Sequence, residues 1–349
     1  MKETRLSTLF LGFIVAVLLV IILKTLKTIF IPLIFAALLS VILKPVITYL
    51  QRWKIPAGLS VALVILAMFF TIYLLGSVIY AGAASFSRDF PHYEASLRAS
   101  LETTLKSFHL EQDEFEQYFL NVDWQTRLEE FSVEDIITNT LGSFFTFLGY
   151  TLLVLVFTVF LLSGQLHLSD KIREAFSREK AQVILKVIGN IQNRVRVYLV
   201  VKVLSSFLTA LVSAVFLLIF GVDFLVISAL LIFVLNFIPS IGSVIATLFP
   251  IVICFVEFGY SWQLIAVAAS LIGTQMVFDH FLEPLLMGRG LNLQPIVVIL
   301  SLIFWGWVWG IVGMVLAIPL TSTFVLVCEN IDTLKPVAVL MSGRKTANN

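Results

Sequence analysis

Apolar residues in this chain run together instead of alternating with polar ones. Leu6 to Leu23, Thr28 to Leu43, Leu59 to Ala81, Phe144 to Leu162, Leu199 to Phe220 and Trp262 to Leu282 are nearly unbroken apolar runs. A helix rises about 1.5 Å per residue and must cross about 30 Å of hydrocarbon, so roughly 20 such residues make one crossing. The runs predict about six full transmembrane helices, the second short and bent by Pro32. The first run has a signal peptide's length, but Lys24, Lys27 and another apolar run follow it in place of a small-residue cleavage site, so it is read as a retained helix.

Two further apolar pieces are broken in the middle. Leu231 to Thr247, slid by 71 positions onto Leu302 to Ile318, matches at six of seventeen positions: Leu231, Ile232, Phe233, Gly242, Val244 and Ala246 meet Leu302, Ile303, Phe304, Gly313, Val315 and Ala317. The first copy breaks at Asn236, Pro239 and Gly242, the second at Gly306, Gly310 and Gly313. Phe224 to Ile238 would reach only about 22 Å as helix, and Pro295 to Trp305 less, so both pieces are expected to be broken or re-entrant hairpins. One crossing, Trp262 to Leu282, would separate them, which makes the pair an inverted-topology repeat. Such repeats place a substrate near the midplane, where interrupted helices offer unpaired backbone groups. A chance likeness of two glycine-broken hairpins is the competing account.

Charge orients these helices. The segment Arg88 to Asp135 holds four basic residues against twelve acids and is expected outside; Lys171 to Arg196 holds seven basic residues against Glu174 and Glu179, and Lys44 to Lys54 carries three with no acid, so both are expected inside. With a cytoplasmic amino terminus all three assignments agree, and the carboxyl terminus is cytoplasmic too. Lys24 and Lys27 are the exception and must snorkel or cap the first hairpin. In the outer segment Phe108, Phe115, Phe119, Leu120 and Trp124 suggest a small helical hairpin, with Ser132 and Asp135 opening the next helix. Inside, Phe176, Val183, Val187, Ile191, Val195 and Tyr198 fit an amphipathic helix, lying on the membrane or packed on protein.

The organisation expected is 1–84, N-terminal helices; 85–140, an acidic extracytoplasmic segment; 141–163, a crossing; 164–198, a basic amphipathic helix; 199–258 and 259–330, two repeat units; and 331–349, a tail. The fold class is an all-α polytopic membrane protein. Composition agrees: 59% of residues are hydrophobic and 13% charged, with a mean hydropathy of +1.02 that a soluble domain does not reach. A net charge of +1 gives no footing for nucleic acid. Cys254 and Cys328 sit in apolar runs without metal or redox spacing and are expected to be free thiols.

Polar residues inside a bilayer mark packing faces or wet paths. Arg194, Tyr198, Lys202, Ser205 or Ser206, Thr209 and Ser213 advance by threes and fours along one helix face, and Gln275, Asp279 and Glu283 do so on another, which Pro284 is expected to end. The basic and acidic stripes could meet. Thr209 and Ser213 suit helix packing; Asn236, beside Pro239 and Ser240, either holds a broken backbone or faces a ligand. Trp305, Trp307 and Trp309 suit an interfacial belt or a substrate lining. The candidate pathway is Asn236, Pro239, Ser240, Gly242, Lys202, Thr209, Gln275 and Asp279; the candidate structural or gating residues are Glu283, Pro284, Gly288, Arg289, Gly290, Gly306, Gly313, Pro319 and Arg194. Hydrolase, metalloprotease and nucleotide-binding signatures are missing, and the four histidines are scattered, so neither an enzyme nor a cofactor is expected.

The stretches "NFIPSIG" (Asn236 to Gly242), "LEPLLMGRGLNL" (Leu282 to Leu293) and "LSLIFWGWVWGIVGMVLAIPLT" (Leu300 to Thr321) together resemble the autoinducer-2 exporter family of bacterial membrane proteins, especially its autoinducer-2-exporting branch. The likeness is densest from Tyr198 to Leu340. It implies a secondary transporter of the bacterial cytoplasmic membrane, a homopentamer in one relative, that carries a small polar quorum-sensing signal outward. Other relatives resemble sodium/proton antiporters, which here would need Asp279 or Glu283. On this resemblance Pro284 and the glycines break the second unit's helix, Glu283 and Arg289 pin the break, and Asp279 faces the path.

Overall fold

The computed structural model describes residues 2–56, most of 58–88, 133–287 and 293–343. Long helices account for nearly all of them, and no β-strand occurs among the described residues. The helices are α1 (Lys2–Thr25), α2 (Lys27–Arg52), α3 (Gly58–Val78), α4 (Val133–Ala175), α5 (Arg178–Phe220), α6 (Leu225–Leu235), α7 (Ile241–Phe258), α8 (Trp262–Val277), α9 (Pro295–Trp309), α10 (Ile311–Glu329) and α11 (Lys335–Met341). Helix α8 continues through a π turn, Phe278–Leu282, into Glu283–Met287. The protein is an all-α, multi-pass membrane protein: among the described residues six helices are long and apolar enough to cross a bilayer, namely α2, α3, α5, α7, α10 and α8 with its continuation.

Four of the six apolar runs lie in this set, and the other two are the apolar stretches of α1 and α4. Several element ends differ from expectation. Helix α2 passes both Pro32 and Pro45 and runs into the basic link, ending at Arg52. No break separates a cytoplasmic helix from a crossing at Tyr198 and Leu199; α5 is one helix of 43 residues. The break falls earlier, at Phe176 and Ser177, so 164–175 belongs to α4. Of the predicted amphipathic face, Val195 and Tyr198 are buried while Phe176 and Val183 stand exposed. Pro284 does not end its helix. The π turn before it shifts the hydrogen-bond register, and the second residue of a helical segment needs no intrahelical N–H partner, so proline is accommodated there. Residues 89–132, which hold the expected outer hairpin and Ser132, lie outside the described residues, whereas Glu134 and Asp135 at the end of the acidic segment belong to α4.

Internal packing divides the chain into two units, one made of Met1–Val64, Leu148–Val200 and Arg289–Asn349, the other of Ile65–Phe147 and Val201–Gly288. The second unit holds the end of α5 with α6, α7 and α8. Its core is Leu217, Val222, Ile253, Cys254, Val256, Val267 and Leu271, with a smaller group of Ala210, Ile232 and Ala246. In the first unit, Val308, Trp309 and Leu316 of α9 and α10 pack against Val20 and Leu23 of α1 and Phe30 and Ile31 of α2. There the Gln294 amide donates to the Met341 carbonyl at 3.1 Å, tying the start of α9 to the end of α11.

Each unit contains one copy of the repeat. With the 71-residue shift, α6 and α7 reproduce the limits of α9 and α10 to within a residue, except that α9 runs three residues longer. The same device folds both back. A Cβ on Gly242 would lie 1.8 Å from the Leu235 carbonyl oxygen, and one on Gly313 1.9 Å from that of Trp305, so only glycine lets the second arm approach the first this closely. The arms before the breaks are short, α6 reaching about 16 Å and α9 about 22 Å. The arms after them are not: α7 and α10 are long enough to cross. Each pair therefore joins a short arm to a crossing-length arm, which two symmetric short hairpins would not.

Candidate functional site

The polar stripes of the second unit meet. Lys202 donates from Nζ to Glu283 Oε2 at 2.8 Å, and the pair is largely buried, with side chains 5% and 15% exposed. About four turns further along α5, Leu217 joins Val267 and Leu271 of α8 in one apolar core. As α5 ascends from 202 to 217, α8 descends from 283 to 267, so the two run antiparallel, and Ser205 and Ser206 stand level with Asp279, Thr209 with Gln275.

The tip of the first hairpin closes on this seam. Asn236 is 2% exposed and donates from Nδ2 to Ser206 Oγ at 3.2 Å. It therefore fastens the end of α6 to α5, a partner that the local sequence around Asn236 did not suggest. Ser240 holds φ 61° and ψ −51° in the turn, where the Ile241 amide donates to the Pro239 carbonyl and Gly242 to that of Ile238. One residue on, the Ser243 side chain stands beside Asp279, which also lies within the field of Lys202 and His280.

Several polar atoms in this cluster are buried without a partner: both amide atoms of Gln275, Ser205 Oγ and Asp279 Oδ1. Thr209 differs, because its hydroxyl donates to the Ser205 carbonyl at 2.8 Å. An unmatched polar group sealed from water costs about 1–3 kcal/mol, which makes this set a candidate place for a polar ligand or water. Its ionisable side chains are the amine of Lys202 and the two carboxyl groups of Asp279 and Glu283. Among the described residues no three His, Cys, Asp or Glu side chains gather as a metal site.

The helices positioning these atoms belong to one recognisable pattern. A family model described as AI-2E family transporter matches residues 11–332. The chain belongs to the AI-2E transporter family. It is 31% identical over 303 residues to the AI-2 transport protein TqsA of Escherichia coli (strain K12), covering 85% of this chain and 84% of that one. A putative transport protein of Borreliella burgdorferi is 28% identical over 307 residues, covering 87% and 82%, and the putative transport protein YhhT of Escherichia coli (strain K12) is 29% identical over 299 residues, covering 85% and 83%. As a member of the AI-2E family the chain is a membrane transport protein, which fits the absence of catalytic signatures from its sequence.

Other candidates of this AI-2E member have structural surroundings. Glu283 makes its ion pair with Lys202; Gly288, Arg289 and Gly290 lie outside the described residues. Pro284 is exposed and Arg194 half-buried in the first unit. Gly306 faces the flexible end of Met314, whose methyl group would have to shift for a Cβ there, and Pro319 is buried inside α10. The tryptophans divide their roles. Trp309 donates from Nε1 to the Leu23 carbonyl at 2.9 Å, Trp305 to Thr321 Oγ1 at 3.3 Å, and Trp307 is exposed beneath Lys24 Nζ, 4.0 Å from its ring centre. Lys24, the exception to the charge pattern, thus has an aromatic partner. Sequence reasoning missed Ser243, Ser206 as the partner of Asn236, and Ser228; for Ser228 the only signal was a hydroxyl in an otherwise apolar helix.

Proposed function

We propose that this AI-2E member exports a small, uncharged, hydroxyl-bearing molecule, autoinducer-2, across the bacterial cytoplasmic membrane by alternating access. The observation that carries this reading is the set of unmatched hydrogen-bonding atoms on Gln275, Ser205 and Asp279, held between membrane-spanning helices and closed by the hairpin tip at Asn236. Carboxamides and hydroxyls that both donate and accept suit a neutral polyol-like ligand. The name of the Escherichia coli relative supports the cargo, and the repeated glycine-folded hairpins support an alternating mechanism. The distribution of basic residues supports reading both termini as cytoplasmic, and the family resemblance supports a homo-oligomer, a pentamer; cross-linking in native membranes tests the number.

The decisive experiment is efflux of autoinducer-2 from liposomes containing the purified protein, with and without a proton gradient. Saturable efflux that Asn236→Ala or Gln275→Leu lowers, in protein that still melts cooperatively, is the expected result; equal efflux from empty liposomes sinks the proposal. A second reading, cation/proton exchange, is favoured by one observation, the Asp279 oxygen left without a partner while Glu283 is neutralised by Lys202. It requires Asp279→Asn to abolish sodium-dependent proton movement.

A further inference from the structure

Two buried serines of the second unit stand apart from the cluster just described. Ser213 on α5 and Ser228 on α6 are fully buried, and neither Oγ has a hydrogen-bond partner. Several other buried helical hydroxyls turn back on their own helix: Thr158 donates to the Val154 carbonyl, Thr209 to that of Ser205, Thr274 to that of Ser270 and Ser301 to that of Val297. Ser213 and Ser228 leave that habitual partner unused.

Their level in the fold is set from both sides. Helices α5 and α6 run antiparallel: Ser206 meets Asn236, then Ala210 clusters with Ile232, and further on Leu225 packs against the apolar cluster that holds Leu217. Ser213 lies three residues past Ala210 and four before Leu217; Ser228 lies four before Ile232 and three past Leu225. Helical periodicity therefore puts both on the facing surfaces, at one level, between those two contacts. A third group joins them. On α7, Ala246 packs with Ala210 and Ile232, and Pro250 one turn on is buried and brings no N–H, so the Ala246 carbonyl lacks its intrahelical donor. Beyond this level Leu217, Ile253, Cys254, Val267 and Leu271 close the unit with apolar side chains.

We propose that Ser213, Ser228 and the Ala246 carbonyl form an inner binding position for a hydroxyl group, about two helix turns deeper than Asn236. Water fills it in the resting protein, and a hydroxyl of the uncharged cargo takes it during transport; the second half of this statement rests on the function proposed above. Two serines that donate and accept, beside a carbonyl that accepts, match a water or an alcohol and offer an ion no counter-charge. The apolar side chains beyond make the position the blind end of a polar line that begins at Lys202 and Glu283, about 16 Å away along α5.

Two measurements on the full-length protein in liposomes separate water from cargo. In a Cys254→Ala, Cys328→Ala background, Ser213→Cys and Ser228→Cys are exposed to silver ion, and the thiols left free are then counted with a maleimide after denaturation, with Val215→Cys on the exposed face of α5 as the control. Silver is expected to block Cys at 213 and 228 far faster than at 215, and this holds whether or not autoinducer-2 is the cargo. In the second, Ser213→Ala with Ser228→Ala is expected to raise the half-saturating concentration for autoinducer-2 efflux about tenfold, with the maximal rate kept. If silver blocks neither cysteine, the position is dry and the proposal is overturned. Blocking without a change in half-saturation makes water the occupant and overturns the cargo role. If wild-type protein moves no autoinducer-2, the proposed function falls while the silver result still decides the water site.

Discussion

Removing one partner of the Lys202–Glu283 pair has a calculable consequence. At 2.8 Å the attraction is about 6 kcal/mol with an effective dielectric constant of roughly 20, and taking each ion out of water offsets several kcal/mol of it. The pair as a whole is therefore close to neutral against apolar residues of the same size, whereas a lone survivor is not. Lys202→Met strands the Glu283 carboxylate among buried helices, with the Asp279 carboxylate in the same cluster as a second like charge. The expected cost is about 3–5 kcal/mol, a fall in melting temperature of about 4–7 °C for a chain of this size. Lys202→Met with Glu283→Met is expected to recover to within about 1 kcal/mol of the parent, and adding Asp279→Asn to Lys202→Met alone to recover part of the loss. Thermal melts in detergent, followed by tryptophan fluorescence, measure all four proteins. A Lys202→Met variant that melts like the parent would refute the reasoning, because it would mean the carboxylates are solvated where the structure buries them.

Three more outcomes are expected. Gly242→Ala and Gly313→Ala each push a methyl group to within 2 Å of a carbonyl oxygen and should cost about 1–3 kcal/mol or open the hairpin, while Gly273→Ala, with open space at its Cβ, should be neutral or slightly stabilising by the same melts. Trp309→Phe removes the donor from the Leu23 carbonyl, one of the orphan acceptors at the end of α1, and should loosen α1 from α9 as faster hydrogen exchange around Leu23. Between α10 and α11, the hydrogen bond and charge of Lys335 hold Asp332 below the usual carboxylate range. The contribution of that contact is present above the ordinary carboxylate pKa and is lost as pH falls through the lowered one; Lys335→Met should return the Asp332 titration, followed by NMR, to the usual range.

Much of this protein was determined one segment at a time. Apolar run length set most of the crossings, because the hydrocarbon thickness is a length that a local stretch meets or fails to meet. The repeat was legible for the same reason: Gly242 and Gly313 act within their own hairpins, on carbonyls seven and eight residues away. Even the polar stripes could be read, since helical periodicity assigns Lys202, Gln275 and Asp279 to faces without reference to a partner. Element ends were less legible where a neighbouring bond could compensate, as at Pro284 behind its π turn and at Tyr198 inside α5. What only the tertiary structure decided is who meets whom. Glu283 pairs with a lysine 81 residues away, Asn236 with Ser206 thirty residues back, and Trp309 with a carbonyl 286 residues earlier. Ser228 shows the difference best. In sequence it is one hydroxyl among apolar residues; antiparallel packing brings it level with Ser213 beside a proline-freed carbonyl, because only the assembled helices decide which polar atoms are sealed away from water together.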